Sequence, residues 1–302
     1  MAARPAAFRA VVWASDWFCA RAPRVGLRFA GLAAGASHAL GLYGPNAEEV
    51  RALLPWLSPA DAGVLAREIT RRDVQQRAFY RALMDGHHRR LARLVNTAGA
   101  EGLRQLQQEG HGAVLLDVHL GPIGATGLAL QRLGLTALLM RAIAAGTRLA
   151  GFEVASLDGP EEHRALALRR GLAWLRRGGL VAIAADGLIG EPTERVPCCG
   201  RLVTFRRGAF ALSRLANVPI VPLVFAWRKG GVEIDVEAGD PIVAVPGEQG
   251  AQQEARLAQA VGRWLDRQLH ERPELLTVPT IRWLQGAERL PVEGRASRVE
   301  RS

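Results

Sequence analysis

Apolar and polar residues follow two regimes along this chain. From residue 8 to about 110 the apolar positions recur mostly at intervals of three and four, which is helical spacing. Phe8–Ala20 (FRAVVWASDWFCA) is amphipathic, with Trp13, Trp17 and Phe18 beside Arg9 and Asp16. Val25–Tyr43 is a second apolar segment, interrupted by Arg28 and His38. Ser58-Pro59-Ala60-Asp61 reads as a helix start, with Ser58 as cap and Pro59 at the first helical position, and residues 58–110 read as helical up to Gly110 and Gly112. From residue 113 short apolar runs alternate with helical stretches. Ala113–Val118, Thr136–Met140, Leu180–Ala185, Val218–Ala226 and Val232–Val236 read as strands. A helix through Leu133, then Pro160–Arg177, Phe205–Ala216 and Glu254–Glu271, separate or follow them, and Pro273–Leu284 forms a C-terminal extension. The pattern predicts an α/β fold, with a central, mostly parallel sheet flanked by helices. No internal repeat or long linker is present. The expected division is an N-terminal helical appendage at 1–57, one α/β domain at 58–290 and a flexible tail at 291–302.

Composition narrows the setting. With 49% apolar and 23% charged residues over 302 positions, the chain can bury a large core, and disorder is excluded for most of it. Lys and Arg total 39 against 29 Asp and Glu, a net charge of +10, and Lys229 is the only lysine. That excess suits anionic lipid, nucleic acid or an acidic carrier protein. No helix-turn-helix, RNA-recognition or zinc-finger signature accompanies it, so nucleic acid is not the expected partner. No run of about 18 uncharged apolar residues exists to span a membrane, and no cleaved signal is evident. The two N-terminal segments instead suit helices lying on a bilayer surface, their aromatics at headgroup depth, or helices that simply cover the core. Cys19, Cys198 and Cys199 make no disulfide framework, and the adjacent pair lacks the spacing of a zinc motif, so no metal and a reducing compartment are expected.

Three polar residues stand where a sheet would expose them. His119 follows the first strand and precedes Gly121-Pro122, Asp186 follows LVAIAA, and Arg141 follows TALLM. Open α/β sheets bind ligands at the carboxyl ends of their strands. A histidine there serves as a general base near neutral pH, or is held by loop carbonyls as a structural group. The aspartate can orient an imidazole, bind a substrate hydroxyl or cap a helix. The arginine can grip phosphate through two nitrogens.

Around these residues the sequence resembles a family. The stretch Gly110–Gly134 (GHGAVLLDVHLGPIGATGLALQRLG) is similar to the first motif block of the lipid A late (lauroyl/myristoyl) acyltransferases, within the lysophospholipid acyltransferase superfamily. Further blocks follow in the expected order: Leu139-Met140-Arg141, Gly178 to Gly187, Pro197–Phe205, Arg207–Leu212 leading into Val218–Pro222, and finally His270–Glu274 with Arg282-Trp283. The resemblance implies an acyltransferase-type domain that moves a fatty acyl chain from a thioester to a lipid or glycolipid hydroxyl. Acyl carrier protein or CoA would carry the donor as co-substrate, and no cofactor would be needed. It implies His119 and Asp186 as catalytic residues and Arg141, Arg207 and Asp117 as substrate-binding ones. The setting it implies is the cytoplasmic face of a bacterial inner membrane. The chain departs from the pattern at one position. The family's orienting Asp or Glu, separated from its histidine by four residues, is here Gly124. Either another acid replaces it, with Asp117 or Glu153 as candidates, or an undirected histidine suffices, or the chain is a lipid-binding relative without turnover.

Overall fold

In the computed structural model, residues 6–289 are described, except 42, 123, 145, 188, 229–231, 246 and 249, and without the side chains of 6–13 and 289. Eleven helices are assigned: α1 (Ala6–Arg21), α2 (Pro23–Ala39), α3 (Ala47–Leu53), α4 (Pro59–Met84), α5 (His88–Ala92), α6 (Gly102–Gln108), α7 (Ala125–Leu133), α8 (Glu161–Leu175), α9 (Gly208–Ala216), α10 (Gly250–Glu271) and α11 (Val278–Gln285). The strands are β1 (Val95–Gly99), β2 (Ala113–Asp117), β3 (Ala137–Arg141), β4 (Arg148–Leu149), β5 (Phe152–Ser156), β6 (Leu180–Ala184), β7 (Val196–Cys198), β8 (Arg201–Val203), β9 (Ile220–Trp227), β10 (Ile234–Ala238) and β11 (Glu288–Arg289). The expected tail at 291–302 lies outside the described residues.

Eight strands form one sheet in the order β1-β10-β9-β2-β6-β3-β5-β4, and β11-β8-β7 form a small second one. Every pairing from β9 through β5 is parallel, whereas β10 against β9 and β4 against β5 are antiparallel. The central strands are apolar on both faces because both faces are covered, as a parallel sheet requires. On one face Val114, Leu116, Val181 and Ile183 meet residues of α9, α10 and α11. On the other, Leu115, Leu139, Leu180 and Ala182 meet α7 and α2. The 26-residue α4 crosses between the two, contributing Ile69 to the first core and Phe79 to the second. It begins as its sequence demands, with the Asp61 N–H donating to Ser58 Oγ at 3.1 Å.

Register is what positions the site. Asp117, the last residue of β2, pairs with Ala184, the last of β6. His119 and Asp186 each lie two residues further on, so they leave adjacent strands at the same level. Met140 of β3 pairs with Ile183 on the other side of β6, which brings Arg141 to the same edge.

The helical reading of 58–110 holds only in part. Helix α4 stops at Met84, and β1 lies inside the expected helical span. Its sequence, VNTAG, has little apolar content because it pairs only with β10 at the sheet margin. Strand β4 and the β7–β8 hairpin also escape the sequence pattern, being two or three residues long, and so does β5, whose sequence FEVAS is interrupted by Glu153. The N-terminal segments form α1 and α2 and pack on α4, where Gln75 Nε2 donates to the Leu27 carbonyl at 2.9 Å. No helix among the described residues is long and apolar enough to cross a membrane.

Phe205 is fully buried and packs against Phe210 of α9 at 6.1 Å and Trp283 of α11 at 5.5 Å between ring centroids. Phe205→Ala should cost about 3–5 kcal/mol of unfolding free energy, measured by chemical denaturation, since the cavity is walled by elements fixed elsewhere.

Candidate active site

His119 is held on three sides. Its ring Nδ1 and Asp186 Oδ1 stand 2.7 Å apart, and its backbone N–H donates to the other oxygen, Asp186 Oδ2, also at 2.7 Å. A carboxylate that only accepts fixes the proton on Nδ1 and leaves the Nε2 lone pair available. The His119 carbonyl accepts hydrogen bonds from two hydroxyls, Thr277 Oγ1 at 2.5 Å and Thr280 Oγ1 at 2.6 Å. Thr277 caps the N-terminus of α11. Two residues after the histidine, the Gly121 N–H donates to the Leu275 carbonyl at 3.0 Å. Gly121 has φ +65°, and a Cβ there would sit 1.6 Å from the Phe225 carbonyl oxygen, so only glycine fits the turn.

Burial opposes a charge on His119, but the hydrogen bond and negative charge of Asp186, with the charge of Asp117 behind it, outweigh burial and raise the imidazole above its ordinary pKa. Beneath it Asp117 forms an ion pair with Arg141, and its Oδ2 accepts from Thr126 Oγ1 at 2.7 Å. Its Oδ1 is buried with no hydrogen-bond partner among the described residues. Burial raises the Asp117 carboxyl despite the opposing charge of Arg141 and the Thr126 hydrogen bond.

These contacts decide between the candidate acids. Asp117 is committed to Arg141 and Thr126, and Glu153 pairs with Arg170 at 2.5 Å on the exposed surface, so neither orients His119. Asp186 does. Gly124 is the N-cap of α7 with φ +89°, and a Cβ there would meet Leu83 Cδ2 at 2.9 Å and Tyr80 Cδ2 at 3.1 Å. A side chain at position 124, where the resembled family carries an acid, would therefore be strained here. Two further expectations change. Arg141 lines the cleft, but its Nη1 donates to the Met140 and Ala182 carbonyls, both at 3.0 Å, and its Nη2 to Asp117. A two-pronged phosphate grip through those nitrogens is not open to it. Arg207 lies outside the cleft wall and pairs with Glu254 at 2.9 Å and Glu191 at 3.1 Å. It ties the start of α9 to α10.

His119 opens into a cleft of about 980 Å³ including its mouth, with Leu120, Met140, Ile143, Leu157, Ile189 and Phe225 among its walls. An apolar cavity with a few convergent polar groups is the usual form of a ligand site. The N-terminus of α7 opens on the same space, contributing Gly124 and Thr126 to the wall and carrying no side-chain cap. Its partial positive charge favours negative charge developing nearby. Sequence reasoning missed Thr126, Tyr80, Thr277 and Thr280. Thr277-Val278-Pro279 carries a helix-start signature, but nothing local in it points to a histidine 158 residues earlier.

No protein-family profile and no curated protein matches the chain. Among solved structures, the crystal structure of the 1-acyl-sn-glycerophosphate (LPA) acyltransferase PlsC from Thermotoga maritima is similar to it at 14% identity, over 69% of this chain and 88% of that one, with a TM-score of 0.39. A likeness at that level leaves the chemistry to the residues themselves.

Three outcomes follow from the geometry. In Asp186→Asn, where burial acts with a weaker counterweight, the His119 imidazole should titrate at lower pH than in the wild type, read by NMR pH titration; an unmoved midpoint would remove Asp186 as the orienting acid. Because the folded-state pKa is raised, the stability that the charged pair adds is complete below about pH 6.5 and fades as pH climbs through the raised value, so the stability gap between the two proteins should narrow across that window. Gly124→Asp should destabilise by about 1–3 kcal/mol in thermal or chemical denaturation, as a non-glycine residue forced to positive φ against Tyr80 and Leu83.

Proposed function

We propose that this chain transfers a fatty acyl group from a thioester donor, on acyl carrier protein or CoA, to a hydroxyl of a lipid or glycolipid at a membrane surface. The observation that carries the reading is the Asp186–His119 pair opening into an apolar cleft. The pair supplies a base that can deprotonate a hydroxyl, and the cleft supplies room and chemistry for an acyl chain.

In the proposed reaction His119 Nε2 takes the proton of the acceptor hydroxyl as that oxygen attacks the thioester carbonyl carbon. Asp186 stabilises the imidazolium that results. The tetrahedral intermediate bears its negative charge near the N-terminus of α7, where preorganised positive dipoles lower its energy. Its collapse breaks the carbon–sulfur bond, and the departing sulfur recovers the proton from His119. No covalent enzyme intermediate is required. Asp117 lines the cleft, held by Arg141 and Thr126, and its negative charge favours the imidazolium.

The membrane part of the reading is supported by the outer surface of α1 and α2. There Trp17, Phe18, Phe29 and Leu32 are exposed beside exposed Arg21, Arg24 and Arg28. Apolar side chains ringed by cations suit an anionic lipid surface. The alternative of a lipid-binding relative without turnover drew its motive from Gly124, and an orienting carboxylate at Asp186 takes that motive away.

Purified protein given acyl carrier protein or CoA thioesters, with lysolipid and glycolipid acceptors, should yield acylated lipid detectable by mass spectrometry. His119→Ala should lower turnover by about 10²–10⁴-fold, the usual contribution of a general base. Turnover unchanged in that variant would overturn the mechanism. In Asp186→Asn the acid limb of the pH–rate profile should move to lower pH along with a reduced maximal rate.

A further inference from the structure

The β7–β8 hairpin turns through Cys199 and Gly200, both at positive φ (+50° and +66°). Such a turn favours Asn, Asp or Gly at its first central position, and a cysteine held there is backbone strain that calls for a reason. The Cys199 side chain does not point to solvent. Cys198 and Cys199 are 2% and 3% exposed, their sulfurs 3.8 Å apart. Asp266 of α10 closes the group: one of its carboxylate oxygens accepts the Cys199 N–H at 2.6 Å, and the two sulfurs and a carboxylate oxygen all lie within 4.8 Å of one another.

We infer that Cys198, Cys199 and Asp266 form a binding site for a thiophilic divalent cation of the zinc class. The separation fits: two sulfurs at about 2.3 Å from a tetrahedral centre stand about 3.8 Å apart. The spacing in sequence argues against a zinc motif because adjacent residues seldom aim both side chains at one point. The strained turn achieves it here, and a helix distant in sequence supplies the third ligand. Asp266 is 38% exposed at its side chain, which leaves an entry path and a position for water as fourth ligand. His270, one helical turn along α10, contacts the Asp266 backbone carbonyl through Nδ1 at 2.9 Å and stacks on Trp56 at 3.7 Å, which fixes this turn of the helix. The site lies apart from the cleft; none of its residues lines the cleft wall. Its chemistry is separate from acyl transfer. Each thiol gives its proton to solvent as its sulfur–metal bond forms. The bound ion would tie the hairpin to α10.

The test is a titration of the reduced full chain with Co²⁺. One equivalent should produce thiolate-to-cobalt charge-transfer absorption in the near ultraviolet, and Zn²⁺ should displace it. The absorption should vanish in the Cys198→Ser/Cys199→Ser protein. Asp266→Asn keeps an oxygen for the Cys199 N–H, so it tests the ligand without removing the hairpin contact. It should weaken Co²⁺ binding by at least about tenfold, a loss that even outer-shell partners produce. No charge-transfer band at excess Co²⁺, a band retained without the two cysteines, or unchanged affinity in Asp266→Asn would each overturn the site.

Discussion

Everything at the cleft depends on the parallel register between β2 and β6. Because Asp117 and Ala184 are paired strand ends, two short loops leave the sheet side by side, and a carboxylate at the second position of one meets the histidine at the second position of the other. A slip of one residue would turn the faces of the strand over and separate the pair. The register is fixed by apolar side chains on both faces, so the precision of the proposed base is a property of the core and not of the loops. This also explains how the chain dispenses with an acid at position 124. The acid need not come from the helix that follows the histidine when the neighbouring strand delivers one.

Below the pair lies a second, buried layer of charge. Arg141 is anchored by the carbonyl of Met140 in its own strand and by that of Ala182 in the middle of β6, and it faces Asp117, so three strands are tied by one guanidinium. A lone carboxylate at that depth would carry a heavy desolvation penalty, and the arginine offsets it. The unpartnered oxygen of Asp117 marks where the compensation stops. The layer thus ties three neighbouring strands together beneath the His119–Asp186 pair.

The sequence made the strands of the sheet centre legible because apolar runs bounded by glycine are hard to mistake, and it marked His119, Asp186 and Arg141 because each stands just past or at the end of such a run. The division of roles among them was not legible. Whether an aspartate meets a histidine or an arginine depends on strand order, and β6 sits between β2 and β3 although it follows both in the chain. The partners of Arg207 were hidden for the same reason: Glu191 and Glu254 come from a loop and a helix whose approach no local pattern encodes. The short strands at the margin were hidden by their lack of period, and the threonines of α11 by their distance in sequence.

That distance has a bearing on synthesis. The two hydroxyls that hold the His119 carbonyl come 158 and 161 residues after it. Asp186 holds the His119 ring and its N–H, yet the histidine's carbonyl stays without these two donors until the segment around residue 280 is made and folded. A segment made long after the first loop of the cleft therefore finishes it, so that a product cut short before residue 277 would carry the right residues on a less secured turn.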